Sequence, residues 1–472
     1  MKTLLKSGKI ITASDQFIGD VLIEGEKISA VGSDLHPDAD TVIVNASGKF
    51  ITPGGVDAHA HFDLPMAGTV SSDDHYTGLK AAAFGGTTTV FDFVSQDGPS
   101  LKKCVDAWHA KADEKAAVDF GCHMNITAFN DQVAGEIPDL REMGINSVKV
   151  FTAYNGRLRL QDGEIFQVLR IAKENRLLVM VHAENGDVID ILTDEAVKAG
   201  HHAPEWHALT RPAEGSIENV FRTISLAQQA QAPVYIVHMN TAGEVQILKK
   251  AREKGFPVMG ETCPQYLYFT VDDLRKADGA KWICSPPMRT RADNEGIQKF
   301  LGEGVLQVIA TDHCPFFFDG THPILYEGKE VLIPGKELGK DDFTKIPNGL
   351  PGVGDRMLVL WNYGVRKQMI TPQQFVAMTS TNPAKIFGLY PQKGTLMPGA
   401  DADVLVWNKN APIRYGVRYA QHRTDYNLYE GWEMQDTIQK VYLRGKLIVD
   451  DGNWLGSRGQ GKFLACSDPT VI

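Results

Sequence analysis

Apolar and polar positions divide the chain into three stretches. Over the first fifty residues, short runs rich in β-branched side chains alternate with turn signals: 9–12, 20–23 between Gly19 and Gly25, 27–31 and 42–45. They predict small antiparallel strands. The same character returns at 403–407 and at 440–449, the latter folding back at Arg444-Gly445-Lys446. Two strand-rich pieces so far apart are most simply joined in one small β-sandwich built from both chain ends.

Between them the pattern changes to short apolar runs separated by helical stretches about thirty residues apart, the mark of repeated βα units and a parallel sheet. Eight such runs occur, at 51–58, 87–93, 120–127, 147–153, 177–183, 233–239, 257–262 and 308–311. The unbroken Leu-Leu-Val-Met-Val at 177–181 suits a strand buried on both faces. Eight βα units close into a (β/α)8 TIM barrel, so the chain reads as α/β. The expected organisation is residues 1–52 and 394–450 in the sandwich, 53–393 in the catalytic barrel, and 451–472 as a C-terminal tail available for an oligomer contact. The Gly/Pro-rich stretch 317–351 is too long for an ordinary connection and is expected to be a functional loop over the barrel mouth.

Composition narrows the class. The 472 residues are 43% hydrophobic, enough for a large core, and the net charge of −10 is spread without a lysine or arginine block. Neither a nucleic acid nor a membrane partner is indicated, and a small neutral or metal-bound ligand fits better. Residues 1–12 lack the apolar core of a secretory signal, and no run approaches the roughly 20 apolar residues that span a bilayer. Cys104, Cys122, Cys263, Cys284, Cys314 and Cys466 form no CxxC pair, which points to a reducing cytoplasm.

The sharpest local signal is Asp57-Ala58-His59-Ala60-His61, directly after the first barrel run. In an extended segment residues two apart face the same way, so His59 and His61 can address one ion. An HxH alone is weak. Here His182 ends the fifth run, His238 the sixth, and Asp312 follows the eighth. All eight strand ends surround one opening in a barrel, so five metal-binding side chains are predicted to meet at its rim. His36, His109, His201, His202, His207, His322 and His422 fall in loops or helices and read as solvated or structural.

Lys149 interrupts Ser-Val-Lys-Val-Phe on the fourth run, where an ammonium beside metal cations would meet both desolvation and repulsion. Two divalent cations bring four positive charges against the single negative charge of Asp312, so a second bridging anion is wanted. Carbon dioxide adding to the Lys149 amine would supply it as a carbamate.

These motifs closely resemble the cyclic amidohydrolases, specifically the dihydropyrimidinase and hydantoinase group. The likeness runs from Pro53-Gly54-Gly55-Val56-Asp57 through His61 and Gly85-Gly86-Thr87-Thr88 to Val148-Lys149-Val150-Phe151 and Val181-His182-Ala183-Glu184. It continues in Glu261-Thr262-Cys263-Pro264, Ser285-Pro286-Pro287, Asp312-His313-Cys314-Pro315 and Pro347-Asn348-Gly349. It spans essentially the whole chain in order. The resemblance implies two zinc ions per subunit, His59, His61 and Asp312 on one, His182 and His238 on the other, bridged by N6-carboxylysine at Lys149. It also implies that Tyr154 contacts the developing oxyanion, that Ser285 and Asn348 hold the ring amide through their backbones, that the enzyme is a homotetramer, and a place in pyrimidine degradation. Ala60, Thr152 and Asn155 depart from residues common in the group, which bears on the pocket for exocyclic substituents.

The expected reaction is hydrolysis of a cyclic ureide, a dihydropyrimidine or hydantoin, to an N-carbamoyl amino acid by a bridging hydroxide, with Asp312 shuttling the proton to the leaving nitrogen. Rival readings are an allantoinase, a dihydroorotase, or a non-catalytic assembly protein of the same fold. The ligand set argues against the last. Dihydroorotases characteristically carry an arginine after the second histidine to bind a ring carboxylate, whereas this chain has Phe62-Asp63. Leu64, Met66, Phe151 and Leu158 instead suggest an apolar wall for uncharged substituents.

Overall fold

The structure is a computed structural model describing residues 2–326 and 328–472; Met1 and Glu327, which fall within the expected segments 1–52 and 317–351, lie outside the described residues. Eight parallel strands pair in sequence order: Gly55–Asp57, Thr87–Val94, Asp119–Asn125, Ser147–Phe151, Leu178–His182, Val234–Ile236, Val258–Thr262 and Val308–Ile309. The seam between first and eighth is closed past the strand ends, where Asp312 N donates to His59 O at 2.9 Å and Ala60 bridges to His313. Below it the buried Arg356 guanidinium spans the seam, donating to Val56 O at 3.0 Å and Ile309 O at 2.9 Å.

The barrel interior is filled by alternate residues of its strands, among them Val56, Phe91, Leu178, Met180, Tyr235 and Met259. The opposite set packs outward on amphipathic helices. Helix Ala242–Glu253 shows why such helices begin where they do. Thr241 accepts from Glu244 N at 3.0 Å while the Glu244 carboxylate accepts from Thr241 N at 2.8 Å, satisfying donors that have no intrahelical partner. Val245, Leu248 and Ala251, three residues apart, form its buried face.

The first predicted run divides. Phe50–Pro53 joins the outer sheet and Gly55–Asp57 the barrel, with Gly54 as the joint. A Cβ on Gly54 would stand 2.2 Å from Thr88 Oγ1, so only glycine lets the chain pass the second strand this closely. The outer sheet has nine strands from both chain ends: Lys2–Ile11, Gln16–Glu24, Lys27–Gly32, Thr41–Asn45, Phe50–Pro53, Val404–Asn408, Thr437–Leu443, Lys446–Asp450 and Asn453–Trp454. Leu5, Ile10, Val21, Ile23, Ile51, Val404 and Val406 make its core. The first strand extends further toward the N-terminus than the sequence pattern indicates, because a bulge between Leu5 and Gly8, with Ser7 at φ 61°, breaks the alternation without ending the pairing.

The mouth loop contains an antiparallel hairpin, Thr321–Tyr326 with Lys329–Pro334, followed by short turns at Lys336–Gly339 and Phe343–Lys345. The C-terminal tail straps the opposite end of the barrel: Phe120 N donates to Lys462 O at 3.1 Å and Leu464 N to Phe120 O at 2.8 Å. Among the described residues no helix is long and apolar enough to cross a membrane.

Candidate metal centre

Asp57 sets the starting geometry. Its carboxylate accepts from His59 N at 3.3 Å and from the Thr311 hydroxyl at 2.7 Å, tying the ends of the first and eighth strands together. His59 is fully buried, and its Nδ1 meets Glu261 Oε1 at 2.5 Å, while Tyr235 donates to the other Glu261 oxygen at 2.8 Å. A carboxylate on Nδ1 fixes the tautomer and turns Nε2 inward. That Nε2 lies 3.1 Å from Asp312 Oδ1 and 2.9 Å from Lys149 Nζ, and His61 Nε2 lies 3.3 Å from the same Asp312 oxygen. Ligand atoms of His59, His61 and Asp312 all fall within 4.8 Å of one another.

On the far side, His182 Nδ1 and His238 Nε2 approach to 2.9 Å. His182 Nε2 meets Glu184 at 2.8 Å, again a carboxylate behind the imidazole, and His238 N donates to Glu261 at 3.2 Å. Thr152 donates to the carbonyl oxygens of His182 and Glu184, both at 2.9 Å, locking the fifth strand's end to the fourth. Tyr154, His238 and Asp312 have φ values of 68°, 39° and 52°. These three non-glycine residues are held in the left-handed region, a conformation that the surrounding structure must enforce.

Burial pushes the His61 imidazole down to about 4 and those of His182 and His238 down as well, so these rings favour the neutral, ligating form. Burial works against the charged form of Asp312, yet His59 and His61 overcome it and hold the carboxyl well below its usual range. Lys149 is 2% exposed, and burial lowers its ammonium to about 8. Its neighbours are His59 and the rings of Phe93 and Phe151, centred 4.2 and 5.3 Å away; among the described residues no carboxylate pairs with it. At His59 burial and Lys149 work against the charged form, but Asp312 and Glu261 outweigh them and raise the imidazole. Four imidazoles, one carboxylate and a buried amine are a donor set that fits divalent metal ions.

The ring-binding candidates gather at one edge of this centre. Half-buried Tyr154 has its hydroxyl pKa pushed up by burial and by the Glu184 charge, with the Ser285 hydroxyl as a hydrogen-bonding neighbour. Asn348 Nδ2 donates to Ser285 Oγ at 3.1 Å. The carbonyls around Ser285 are all taken. Ile283 O accepts from Gly349 N at 3.1 Å and Lys336 Nζ at 2.8 Å, Cys284 O from His207 at 2.9 Å, and Pro286 O from Tyr266 at 2.7 Å. Among the described residues no donor meets the Ser285 carbonyl.

All candidate residues from the sequence, His59, His61, Lys149, Tyr154, His182, His238, Ser285, Asp312 and Asn348, thus lie on the barrel mouth or just beneath it. The supporting carboxylates Asp57, Glu184 and Glu261 were not assigned roles from sequence; a carboxylate inside an apolar strand, as in Val-Met-Gly-Glu-Thr, is the signal that would have found Glu261. Buried His75, His123 and His313 are structural. His123 bonds Ser147 Oγ and Ala58 O, His75 sits between Asp63 and Asp92, and His313 accepts from Gly352 N. His207 and His422 are buried too, the latter accepting from Gly354 N at 2.8 Å. A cavity of about 320 Å³ opens beside His61 and Phe93, with Leu64, Pro65, Val94 and Trp108 in its wall. Asp63 is engaged by His75 at 3.4 Å and Lys115 at 3.7 Å.

A (β/α)8 barrel with imidazoles, a carboxylate and a buried lysine converging at its C-terminal rim defines the class of barrel metallohydrolases. The chain belongs to the amidohydrolase family, whose model matches residues 50–448, and within it to the hydantoinase and dihydropyrimidinase group. It is similar to a D-hydantoinase of Streptomyces coelicolor, 40% identical with 98% of this chain and 97% of the relative covered. A D-hydantoinase of Geobacillus stearothermophilus is 42% identical over 98% and 96% of the two chains. The crystal structure of dihydropyrimidinase from Brevibacillus agri is 43% identical, covers 100% of both chains and superimposes with a TM-score of 0.95.

Proposed function

We propose that this enzyme hydrolyses the ring amide of dihydropyrimidines or 5-substituted hydantoins to N-carbamoyl amino acids, on two zinc ions bridged by carboxylated Lys149. The observation that carries the proposal is the pairing of two donor sets around an amine with no carboxylate in salt-bridge contact among the described residues: His59, His61 and Asp312 on one side, His182 and His238 on the other, Lys149 between. A buried amine lowered to about 8 is partly neutral at pH 7, so its lone pair can add to carbon dioxide with loss of a proton, leaving the anion that the charge balance asks for. The names carried by the relatives agree with ring opening of this kind.

Two zinc ions, when bound, supply Lewis acidity and a hydroxide nucleophile near neutral pH. The chain's own groups do the rest. The free Ser285 carbonyl accepts a ring N–H, and the Asn348 backbone beside it completes the amide clamp. Tyr154, its hydroxyl kept protonated, donates to the carbonyl oxygen as negative charge develops there. Asp312, ionised and beside both histidines of the first set, takes the proton of the attacking water and delivers it to the leaving ring nitrogen. We further infer a cytoplasmic homotetramer, for which exposed Ile191, Leu209 and Phe221 on the outer helices offer apolar surface.

Substrate charge is the point most open to direct test. Phe62 packs against His75 and His313 with ring centroids 5.4 and 5.6 Å apart and supplies no cationic fork. Dihydrouracil and 5-substituted hydantoins are therefore expected to exceed dihydroorotate in kcat/KM by at least about a hundredfold at fixed metal and pH. A preference for dihydroorotate would overturn the substrate assignment.

A further inference from the structure

Lys336, the first residue after the mouth hairpin's closing glycine, is fully buried. Its backbone N donates to Phe317 O at 2.8 Å, so the residue is anchored where the excursion leaves and rejoins the barrel. Its Nζ donates to Ile283 O at 2.8 Å. No carboxylate pairs with it among the described residues, and burial lowers the ammonium to about 7. As a packing element this is a poor choice, because a methionine of similar length would fill the space without the cost of desolvating an amine. The amine is spent on one carbonyl.

That carbonyl is well placed. Ile283 O also accepts Gly349 N at 3.1 Å, so a single oxygen joins the segment leading to Ser285 and the segment carrying Asn348. Close by, Asn348 Nδ2 donates to Ser285 Oγ at 3.1 Å. The two ring-holding backbones are thus connected twice, once through their side chains and once through the oxygen that Lys336 grips from the hairpin side.

We propose that Lys336 is a positioning residue for ring recognition, holding the Ser285 and Asn348 backbones at the spacing a cyclic amide requires and coupling that clamp to the mouth hairpin. The inference rests on the assignment of ring binding to Ser285 and Asn348 made above. Lys336 touches neither the metal ligands nor the place of the reacting carbonyl, so its loss acts on KM far more than on kcat.

The test is steady-state kinetics of Lys336→Met in the zinc-loaded full-length enzyme, with dihydrouracil and a 5-substituted hydantoin, alongside metal content per chain. Expected is a KM raised about tenfold or more, with kcat within about threefold of wild type and metal content unchanged. Unchanged KM, or a fall in kcat accompanied by metal loss, overturns the inference. Should Lys336→Met fail to fold, Lys336→Gln, which keeps a donor on a shorter arm, is judged by the same split: raised KM with kcat retained supports it, any other result counts against it. Wild-type enzyme that opens neither ring would instead refute the proposed function itself.

Discussion

Two buried lysines at opposite ends of one barrel have opposite surroundings. Lys393, under the barrel, is 1% exposed and lies 2.6 Å from Asp119, 3.0 Å from Asp401 and 2.8 Å from Asp403. Asp119 also receives Arg444 and the backbone N of Lys462, so the cluster binds the third barrel strand, the outer sheet and the C-terminal tail into one joint. Lys149, at the rim, is as deeply buried and has histidines and aromatic rings for company. Burial is common to both; the counter-ion is not. Where carboxylates ring a buried amine they tie it into the fold, and where none lies in salt-bridge contact the amine is open to other chemistry.

The contrast can be broken most sharply at Lys149. Lys149→Ala is expected to cut kcat by at least about a thousandfold, because the lost bridging anion takes metal binding with it. Added acetate or propionate should restore part of both. Full activity and full metal content in the unaided variant would remove the basis for distinguishing the two lysines.

At the other end, Lys393→Met leaves Asp403 buried without a cation and leaves Asp119 and Asp401 with only Arg444 and Lys27 as theirs. A loss of about 3–5 kcal/mol in unfolding free energy is expected, with kcat/KM per folded molecule within about twofold of wild type. Chemical denaturation and titrated active sites would measure both. A variant that is stable but inactive would assign the base a role in catalysis.

Tyr154 belongs to the rim, and Tyr154→Phe should lower kcat about a hundredfold with metal retained. An unchanged rate would make Tyr154 a packing residue despite its forced backbone.

His75 resembles Lys393 in its partners although it lies nearer the mouth. Burial works against its charged form, but Asp63 and Asp92 raise the imidazole to about 9. A folded value above the unfolded one of 6.5 means that this stabilisation is fully present below about pH 6.5 and is lost as pH rises through about 9. Unfolding free energy should therefore slope downward across that window by at most about 1.4 kcal/mol per pH unit, and the slope should vanish in His75→Gln. A wild-type profile already flat there would show that His75 is neutral in the folded protein.

Much of the barrel was legible because its determinants are local. Eight apolar runs at regular spacing, each bounded by polar helical sequence, bury their faces in a parallel sheet, which eight units can close into a barrel, and residues two apart on a strand must share a side. His59, His61, His182, His238 and Asp312 could accordingly be placed at strand ends from their positions alone. The division of the first run at Gly54 was not legible, since an apolar stretch that leaves one sheet for another looks like one strand until Thr88 is found against it.

The sequence by itself determined the barrel, the side chains offered at its mouth, and the presence of a lysine within an apolar strand. Only the tertiary structure decided what stands beside each of them. Glu261, on the seventh strand, orients His59 on the first, and Lys393 finds carboxylates from the third strand and from the loop entering the outer sheet, while among the described residues Lys149 has none in salt-bridge contact and feels Asp312 and Glu261 only from further off. These partners are remote along the chain, and the field that sets a lysine's proton affinity falls off with distance through space.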